Sequence, residues 1–436
     1  MIFEFKNLGS IKEAQIEMGK LTVICGKNNT GKTYLTYAVW GFLYKMLISL
    51  DLEWEAYDSK MEEEIKNQGY SKVDLISFKK EFLDDVLPKI QNAYLEKLNQ
   101  VFSANEDNFS ATQFKVIYNE QDTFFEIETR IPLFGGWFMK EAKSNILEIT
   151  INNSNTIEKR GLSNLYKGIL QSFFFKEKII LLTAERTQTR LFQKELDIVR
   201  NELIKHKRFN ILEKNISNIP LPIQENLDFA RETENIIKGD SFLKEEYPEL
   251  LKEVETILGV NYEVNDGMLR VYDKKANHTI PHYMASTSVR ALADLHLWLK
   301  HQAQKGDLLM IDEPELNLHP ENQIKMARLF AKLLNAGIRV WITTHSDYIV
   351  KELNNCIMLG NVSNRTEILE KYKGEYSEND ILKAEDLKAY IAYNLPDGGS
   401  TVRKIEIDKY GMVESTFDET IDKMNEISQT FADNID

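Results

Sequence analysis

Eight consecutive residues, Gly26-Lys27-Asn28-Asn29-Thr30-Gly31-Lys32-Thr33, have the types and the spacing to hold a chain of phosphates. The glycines let main-chain N–H groups curl around an anion, and a helix N-terminus behind them adds partial positive charge. Lys32 is placed to reach the β- and γ-phosphates, and the Thr33 hydroxyl to ligate magnesium. The local context fits. Leu21-Thr22-Val23-Ile24-Cys25 reads as a strand entering the loop, and the apolar segment from Tyr34 reads as the helix leaving it. The chemistry is nucleoside-triphosphate binding.

A partner for the loop lies far downstream in Asp307-Leu308-Leu309-Met310-Ile311-Asp312-Glu313-Pro314-Glu315. Four apolar residues ending in carboxylates read as a buried strand that delivers acids to its C-terminal end, where α/β proteins bind ligands. Asp312 is expected to hold magnesium, and Glu313 to polarise the water that attacks the γ-phosphate. A third apolar run, Ile338-Arg339-Val340-Trp341-Ile342, ends in Thr343-Thr344-His345-Ser346. His345 therefore emerges at the same edge, where an imidazole can donate to the γ-phosphate and sense it. His296 and His301 lack ligand-like partners, and Cys25 and Cys356 read as small buried hydrophobes.

Taken in order, these segments resemble an ABC-type ATPase, and more narrowly the branch that holds the OLD and SMC-type ATPases. Glu315-Leu316-Asn317-Leu318-His319-Pro320 and Leu182-Thr183-Ala184-Glu185-Arg186 are typical of the OLD-like subgroup. Within it the resemblance is nearest to the ATPase subunits of anti-phage systems such as PARIS, with Septu as rival. The resemblance implies an α/β head with a mixed sheet, a P-loop core and a β-rich N-terminal lobe. It also implies ATP and Mg2+ as cofactors, and Leu316 to Pro320 as a loop that meets an opposite subunit.

The signature segment departs from that family. Its usual glycine turn is replaced by Ala285-Ser286-Thr287-Ser288-Val289-Arg290. Ser286 can still cap the helix running to Lys300 and leave N–H groups facing outward, with Ser288 beside it and Arg290 one turn in. Without glycine, phosphate approaches less closely, so slow turnover is expected. By the resemblance, nucleotide is sandwiched between Lys32 of one subunit and Ser286 of another. A dimer, or a ring of dimers, follows.

Composition and patterning define the elements that must position these residues. The chain has 436 residues, 43% of them hydrophobic, enough for a sizeable core, and a net charge of −14, which argues against a general polyanion-coating role. Two cysteines make no disulfide framework. With no secretory leader ahead of Phe3, the cytoplasm is the expected compartment. Tyr34 to Leu50 is apolar, but its start is fixed by the phosphate loop, so a membrane span is not expected.

Ile2–Phe5 and Ala14–Ile16 read as first strands. Residues 51 to 102 read as charged and helical, and Phe114–Tyr118, Phe124–Ile131 and Ile146–Ile151 as strands. Phe134-Gly135-Gly136-Trp137-Phe138 reads as an aromatic turn. From Thr187 to Gly259 the pattern is helical, with Phe192, Leu196, Val199 and Leu203 as a coiled-coil seam. Pro220 and Pro222 break that run, which makes the arm too short for an SMC protein. Asn265-Asp266-Gly267 turns a hairpin. Val402–Ile407 and Met412–Glu414 read as a strand pair, followed by an amphipathic helix from Phe417. The expected organisation is head (1–186), helical arm (187–260), and the rest of the head (261–436).

The arm carries Arg186, Arg190, Lys194, Arg200, Lys205, Lys207 and Arg208. Interleaved acids make a solvated helix face the favoured reading over a nucleic-acid contact. The stretch after Leu359 is too short for the Toprim nuclease domain of full OLD proteins, so no intrinsic nuclease site is expected. The sequence thus points to an ATPase that senses a trigger and controls a separate effector, a Toprim-like or HNH nuclease, in anti-phage defence. The alternative is an SMC-like repair or tethering ATPase that binds DNA directly.

Overall fold

The computed structural model describes residues 1–48, 63–65, 67–118, 129–133, 136–141, 144–151, 178–208, 219–265, 268–274, 276–413 and 419–433. The chain starts with strands β1 (Ile2–Leu8) and β2 (Ile11–Glu17), paired antiparallel. Their alternation turns Phe3 and Phe5, and Ala14 and Ile16, into the core, as a period of two requires. Strand β3 (Leu21–Gly26) is buried over nearly its whole length, the pattern of a central strand covered on both faces. It runs through the phosphate loop into helix α1 (Lys32–Ile48).

Next come β4 (Tyr70–Asp74), β5 (Gln113–Ile117), β6 (Thr129–Leu133), β7 (Gly136–Lys140) and β8 (Ile146–Ile151). Of these, β4, β8, β7 and β6 make a separate four-stranded antiparallel sheet in that order. Then follow β9 (Ile179–Leu182), α2 (Arg186–Arg208), α3 (Leu221–Arg231), the antiparallel strands β10 (Val260–Asn265), β11 (Met268–Asp273) and β12 (His278–Pro281), and α4 (Thr287–His301). The remainder is β13 (Leu308–Asp312), α5 (Pro320–Asn335), β14 (Arg339–Thr344), α6 (Asp347–Asn361), β15 (Leu387–Asn394), β16 (Ser400–Ile405) and α7 (Glu419–Ala432).

Nine strands form one mixed sheet in the order β5-β1-β2-β16-β15-β3-β14-β13-β9. β3 lies parallel between β14 and β15, and β13 parallel between β14 and β9. The carboxyl ends of these strands therefore share one edge, where ligands of such sheets bind. One face is covered by α1 and an aromatic cluster of Phe3, Phe5, Phe42, Tyr94 and Phe114. The other is covered by α4, α5 and α6 through Leu295, Trp298, Phe330 and Leu353. This is the mixed-sheet α/β class of an ABC-type head. No helix among the described residues is long and apolar enough to cross a membrane.

Several expectations need correction. Of the expected pair Val402–Ile407 and Met412–Glu414, only the end is met, where Ile407 pairs with Met412; Ser400–Ile405 pairs with Leu387–Asn394. The region expected to be helical contains the strand Tyr70–Asp74, which buries Ser71 and Val73 against the four-stranded sheet. Trp137 and Phe138 belong to β7 rather than to a turn, while residues 134–135 lie outside the described residues, as do residues 124–128 of the expected strand and the hairpin turn at 266–267.

Part of the segment expected as a helical arm (187–260) packs on the head. Leu243, Leu250, Val254 and Ile257 join the core that holds Trp298, Leu309 and Phe330. Its second half folds back because that apolar spacing forms one helical face. Phe192, placed in the seam, is 51% exposed, and the side chains of Val199 and Leu203 lie outside the described residues.

Gly26 occupies a constrained position where β3 meets the loop. Its φ is +138°, and an added Cβ would sit 2.2 Å from the Ala392 carbonyl oxygen of β15. Gly26→Ala is expected to cost roughly 2–4 kcal/mol, from left-handed strain plus a backbone clash that cannot relax cheaply. Denaturant unfolding monitored by fluorescence checks it; stability within about 0.5 kcal/mol of wild type, the usual range of a neutral change, would refute the packing described.

Candidate functional site

The phosphate loop leaves β3 at Gly26 and closes at Gly31, with Asn29 at φ +60° and Gly31 at φ +84°. Lys27, Asn28 and Asn29 are exposed along the loop, and the Thr30 hydroxyl donates to the Lys27 carbonyl (2.8 Å), bracing it. Lys32 opens α1 and is only 5% exposed; its ammonium donates to the Gly26 and Lys27 carbonyls, each at 2.9 Å. Burial lowers its pKa, while Glu313, Asp312 and Glu315 oppose that shift. A deeply held cation in a glycine-bounded loop at a helix N-terminus has the chemistry to hold an anion.

Asp312 ends β13 at 1% exposure. The Thr33 hydroxyl donates to its Oδ2 (2.9 Å) and the Thr343 hydroxyl to its Oδ1. Burial raises the Asp312 pKa, and these two hydroxyls pull it back down. The donor pair Thr33 and Asp312 is hard oxygen chemistry, the set that magnesium prefers.

Glu313 follows with φ +50°, a conformation that L residues avoid and that survives only where neighbours enforce it. Its N–H donates to the Thr343 carbonyl (3.1 Å). Glu313 lines a cleft of about 200 Å³ with Ser10, Asn28, Lys32, Thr33 and Tyr34, so the carboxylate and the phosphate loop face the same space.

His345 lies past the end of β14 and is partly exposed. Its Nδ1 is 3.2 Å from Glu315 Oε1 and 3.7 Å from Glu313 Oε1. Glu315, buried to 5% exposure, also accepts from the His345 N–H (2.7 Å) and the Thr344 hydroxyl (2.9 Å). The imidazole pKa is raised by Glu313 first, with Glu315 adding to it, and His345 in turn lowers that of Glu313. Glu315 is the nearer carboxylate, and both acids face the same imidazole nitrogen.

That pairing has a sign. A histidine whose folded pKa lies above its ordinary value near ~6.5 contributes stability in full below that value and loses it as pH rises through the raised pKa. The thermal midpoint of nucleotide-free protein is expected to fall between about pH 6 and 8, with a shallower slope in His345→Gln. Identical slopes in scanning fluorimetry would rule the pairing out.

The signature residues sit elsewhere. Ser286 caps α4, its hydroxyl accepting from the Val289 N–H (3.4 Å), and lies 3.2 Å from the Ser288 hydroxyl. Ala285, Val289 and Ala293 root this end of α4 in the β10–β12 sheet. Ser286, Ser288 and Arg290 line neither of the clefts at the phosphate loop.

Two functional residues escaped the sequence reading. Glu315 was read only as the first residue of the Glu315–Pro320 motif, with no role of its own, although a third acid beside Asp312-Glu313 could have flagged it. Arg186 was counted in a solvated basic face; it is 2% exposed. Burial lowers its pKa, opposed by Asp312, Glu315, Asp294 and Glu313. Arg190 is likewise buried, paired with Asp294. For these two the solvated-face reading is corrected: Arg186 finds the Ala291 carbonyl and Arg190 finds Asp294, both on α4, so their cations turn inward.

A phosphate loop, a strand ending in Asp312-Glu313 and a histidine after the next strand, all at one sheet edge, define an ABC-type P-loop ATPase head. Residues 1–350 match the family described as the AAA ATPase domain. The chain belongs to that family, and ATP binding and ATPase activity come with it. No curated protein matches the chain.

Among solved structures, it is similar to the SmcHead bound to the C-winged helix domain of ScpA, at 13% identity and TM-score 0.37, covering 94% of this chain and 98% of that one. A second is the Pyrococcus furiosus Smc head domain with an extended coiled coil bound to the C-terminal domain of ScpA, at 13% identity and TM-score 0.34, covering 98% of each chain. A third is the SMC head domain from Thermotoga maritima, at 10% identity and TM-score 0.32, covering 93% and 98%.

Proposed function

We propose that this ATPase is a nucleotide-driven switch that senses a trigger and controls a separate effector, a Toprim-like or HNH nuclease, in anti-phage defence in the cytoplasm. The observation that carries the switch is the separation of its two halves. Lys32, Thr33, Asp312, Glu313 and His345 converge on one sheet edge, whereas the capped helix at Ser286 stands away from that cleft. A second copy supplying Ser286, Ser288 and Arg290 would close the site over ATP, since a helix N-terminus offers free N–H groups to an anion. A dimer, or a ring of dimers, is the assembly this favours.

Within the site, Gly26 to Thr33 wrap the phosphates and Lys32 neutralises them. Thr33 and Asp312 would hold Mg2+, which when bound supplies charge neutralisation across the β- and γ-phosphates. Glu313 orients the attacking water and draws its proton. His345, held by Glu315, donates toward the γ-phosphate. The glycine-free signature favours slow turnover. Assignment to an effector-controlling, OLD-like branch of the PARIS type rests on the resemblance carried by Glu315–Pro320 and Leu182–Arg186.

The test is recovery of tagged Glu313→Gln protein with ATP from its native host, followed by mass spectrometry and native mass. A stoichiometric nuclease beside a dimer or higher multiple is the expected result. DNA recovered without a protein partner would move the assignment to a repair or tethering ATPase, and a monomer with ATP would sink the sandwich.

A further inference from the structure

Arg186 opens α2, yet its side chain points into the head and its three guanidinium nitrogens reach four main-chain carbonyls. Nη1 donates to Asp312 (2.9 Å) and Thr183 (2.9 Å), Nη2 to Glu313 (3.0 Å), and Nε to Ala291 (3.0 Å). The Asp312 and Glu313 carbonyls belong to the peptide units on either side of the Glu313 Cα. One planar cation that fixes both fixes the dihedrals between them, and that residue is the one at φ +50°. A left-handed glutamate needs surroundings that over-determine it, and the Arg186 fork supplies that restraint.

The fourth acceptor widens the role. Ala291 lies on α4, the helix capped by Ser286. Arg190, one turn further along α2, pairs with Asp294 of the same helix. The base of α2 thus grips α4 at successive turns while holding the backbone of the catalytic carboxylate. A lysine cannot substitute, because an ammonium on a flexible stem lacks the planar, five-donor fork needed for acceptors in these directions.

We propose that Arg186 is a positioning residue for ATP hydrolysis: it holds Glu313 in its left-handed conformation and ties the Glu313 backbone to the signature helix. Displacement of α4 when the nucleotide site closes is then transmitted to the carboxylate that orients the water. This rests on the roles given to Glu313 and Ser286 above.

The experiment compares Arg186→Lys with wild type in affinity for a fluorescent ATP analogue, in kcat and KM for phosphate release, and in Tm. The same change is then made in a Glu313→Gln background and followed in single turnovers. A misplaced catalytic group loses on the order of 100-fold in rate. The expected result is a kcat loss of about that size with ATP affinity within about threefold, and no further slowing once Glu313 is already Gln.

An unchanged kcat overturns the proposal. So does equal slowing in both backgrounds, or a loss of ATP binding in proportion to lost folded protein; each would mark Arg186 as merely structural. If Arg186→Lys does not fold, Arg186→Gln, which keeps two N–H donors, is read in the same way, and failure of both to bind ATP also overturns it. Wild-type protein that hydrolyses no ATP would instead sink the catalytic reading beneath it.

Discussion

Glu313→Gln is expected to bind ATP with near wild-type affinity and to release phosphate on the order of 10³-fold more slowly. The substitution keeps the shape of the side chain and its place on the left-handed turn after β13, but removes the charge that draws a proton from water. A general base contributes typically 10²–10⁴-fold. Binding is spared because Lys32 and the loop N–H donors grip the phosphates, whereas the Glu313 carboxylate faces His345 Nδ1 at 3.7 Å. Phosphate release and equilibrium binding of a fluorescent ATP analogue, measured on the same sample, give both halves of the result. Hydrolysis at the wild-type rate would remove Glu313 from the reaction and turn attention to His345 and Glu315 as bases.

Lys32→Ala is expected to abolish ATP binding at ordinary concentrations. Lys32 is 5% exposed and its ammonium is held by two carbonyls of the loop that precedes it, so it is pre-positioned and already stripped of most water. Removing one partner of a buried charge pair costs roughly 2–5 kcal/mol, or from about 30-fold to several thousandfold in affinity. The variant should also leave the Gly26 and Lys27 carbonyls without their donor, so the loop loses rigidity together with charge. Titration with the same analogue checks it. An affinity within about threefold of wild type, far short of that loss, would mean that main-chain N–H groups alone carry the phosphate.

How much of this was legible in the sequence follows from how local each signal is. The phosphate loop declares itself because its chemistry is a matter of eight adjacent residues between a strand and a helix. Asp312 and His345 were legible as strand ends, since an apolar run followed by a polar residue marks where a buried strand surfaces. Arg186 was not, because its meaning lies in carbonyls contributed by Thr183, Ala291, Asp312 and Glu313. Side-chain charge told nothing of that; the same guanidinium reads as solvated until the fold surrounds it.

The strand Leu387–Asn394 was missed for a related reason. Lys388, Ala389 and Ala392 dilute the aromatic signal of Tyr390 and Tyr393, and the strand's identity comes from lying against Leu21–Gly26. The helical insertion misled in the opposite direction. Proline breaks and heptad spacing told of separate helices, but not that Leu250, Val254 and Ile257 would find the core. Periodicity gives a face, and only packing says what the face meets.

The placement of β3 has a consequence for how the protein is made. Both neighbours of the strand that feeds the phosphate loop, β14 and β15, are drawn from the last quarter of the chain. On a ribosome adding 5–20 residues per second, the roughly 300 residues between Gly26 and Arg339 take on the order of 15 to 60 s to emerge. Through that interval the apolar strand Leu21–Cys25 has no native edge to pair with, and the loop has no Asp312 to oppose Thr33. The nascent chain is thus without its nucleotide site until synthesis is nearly done, and in that window an unpaired hydrophobic strand is open to wrong partners.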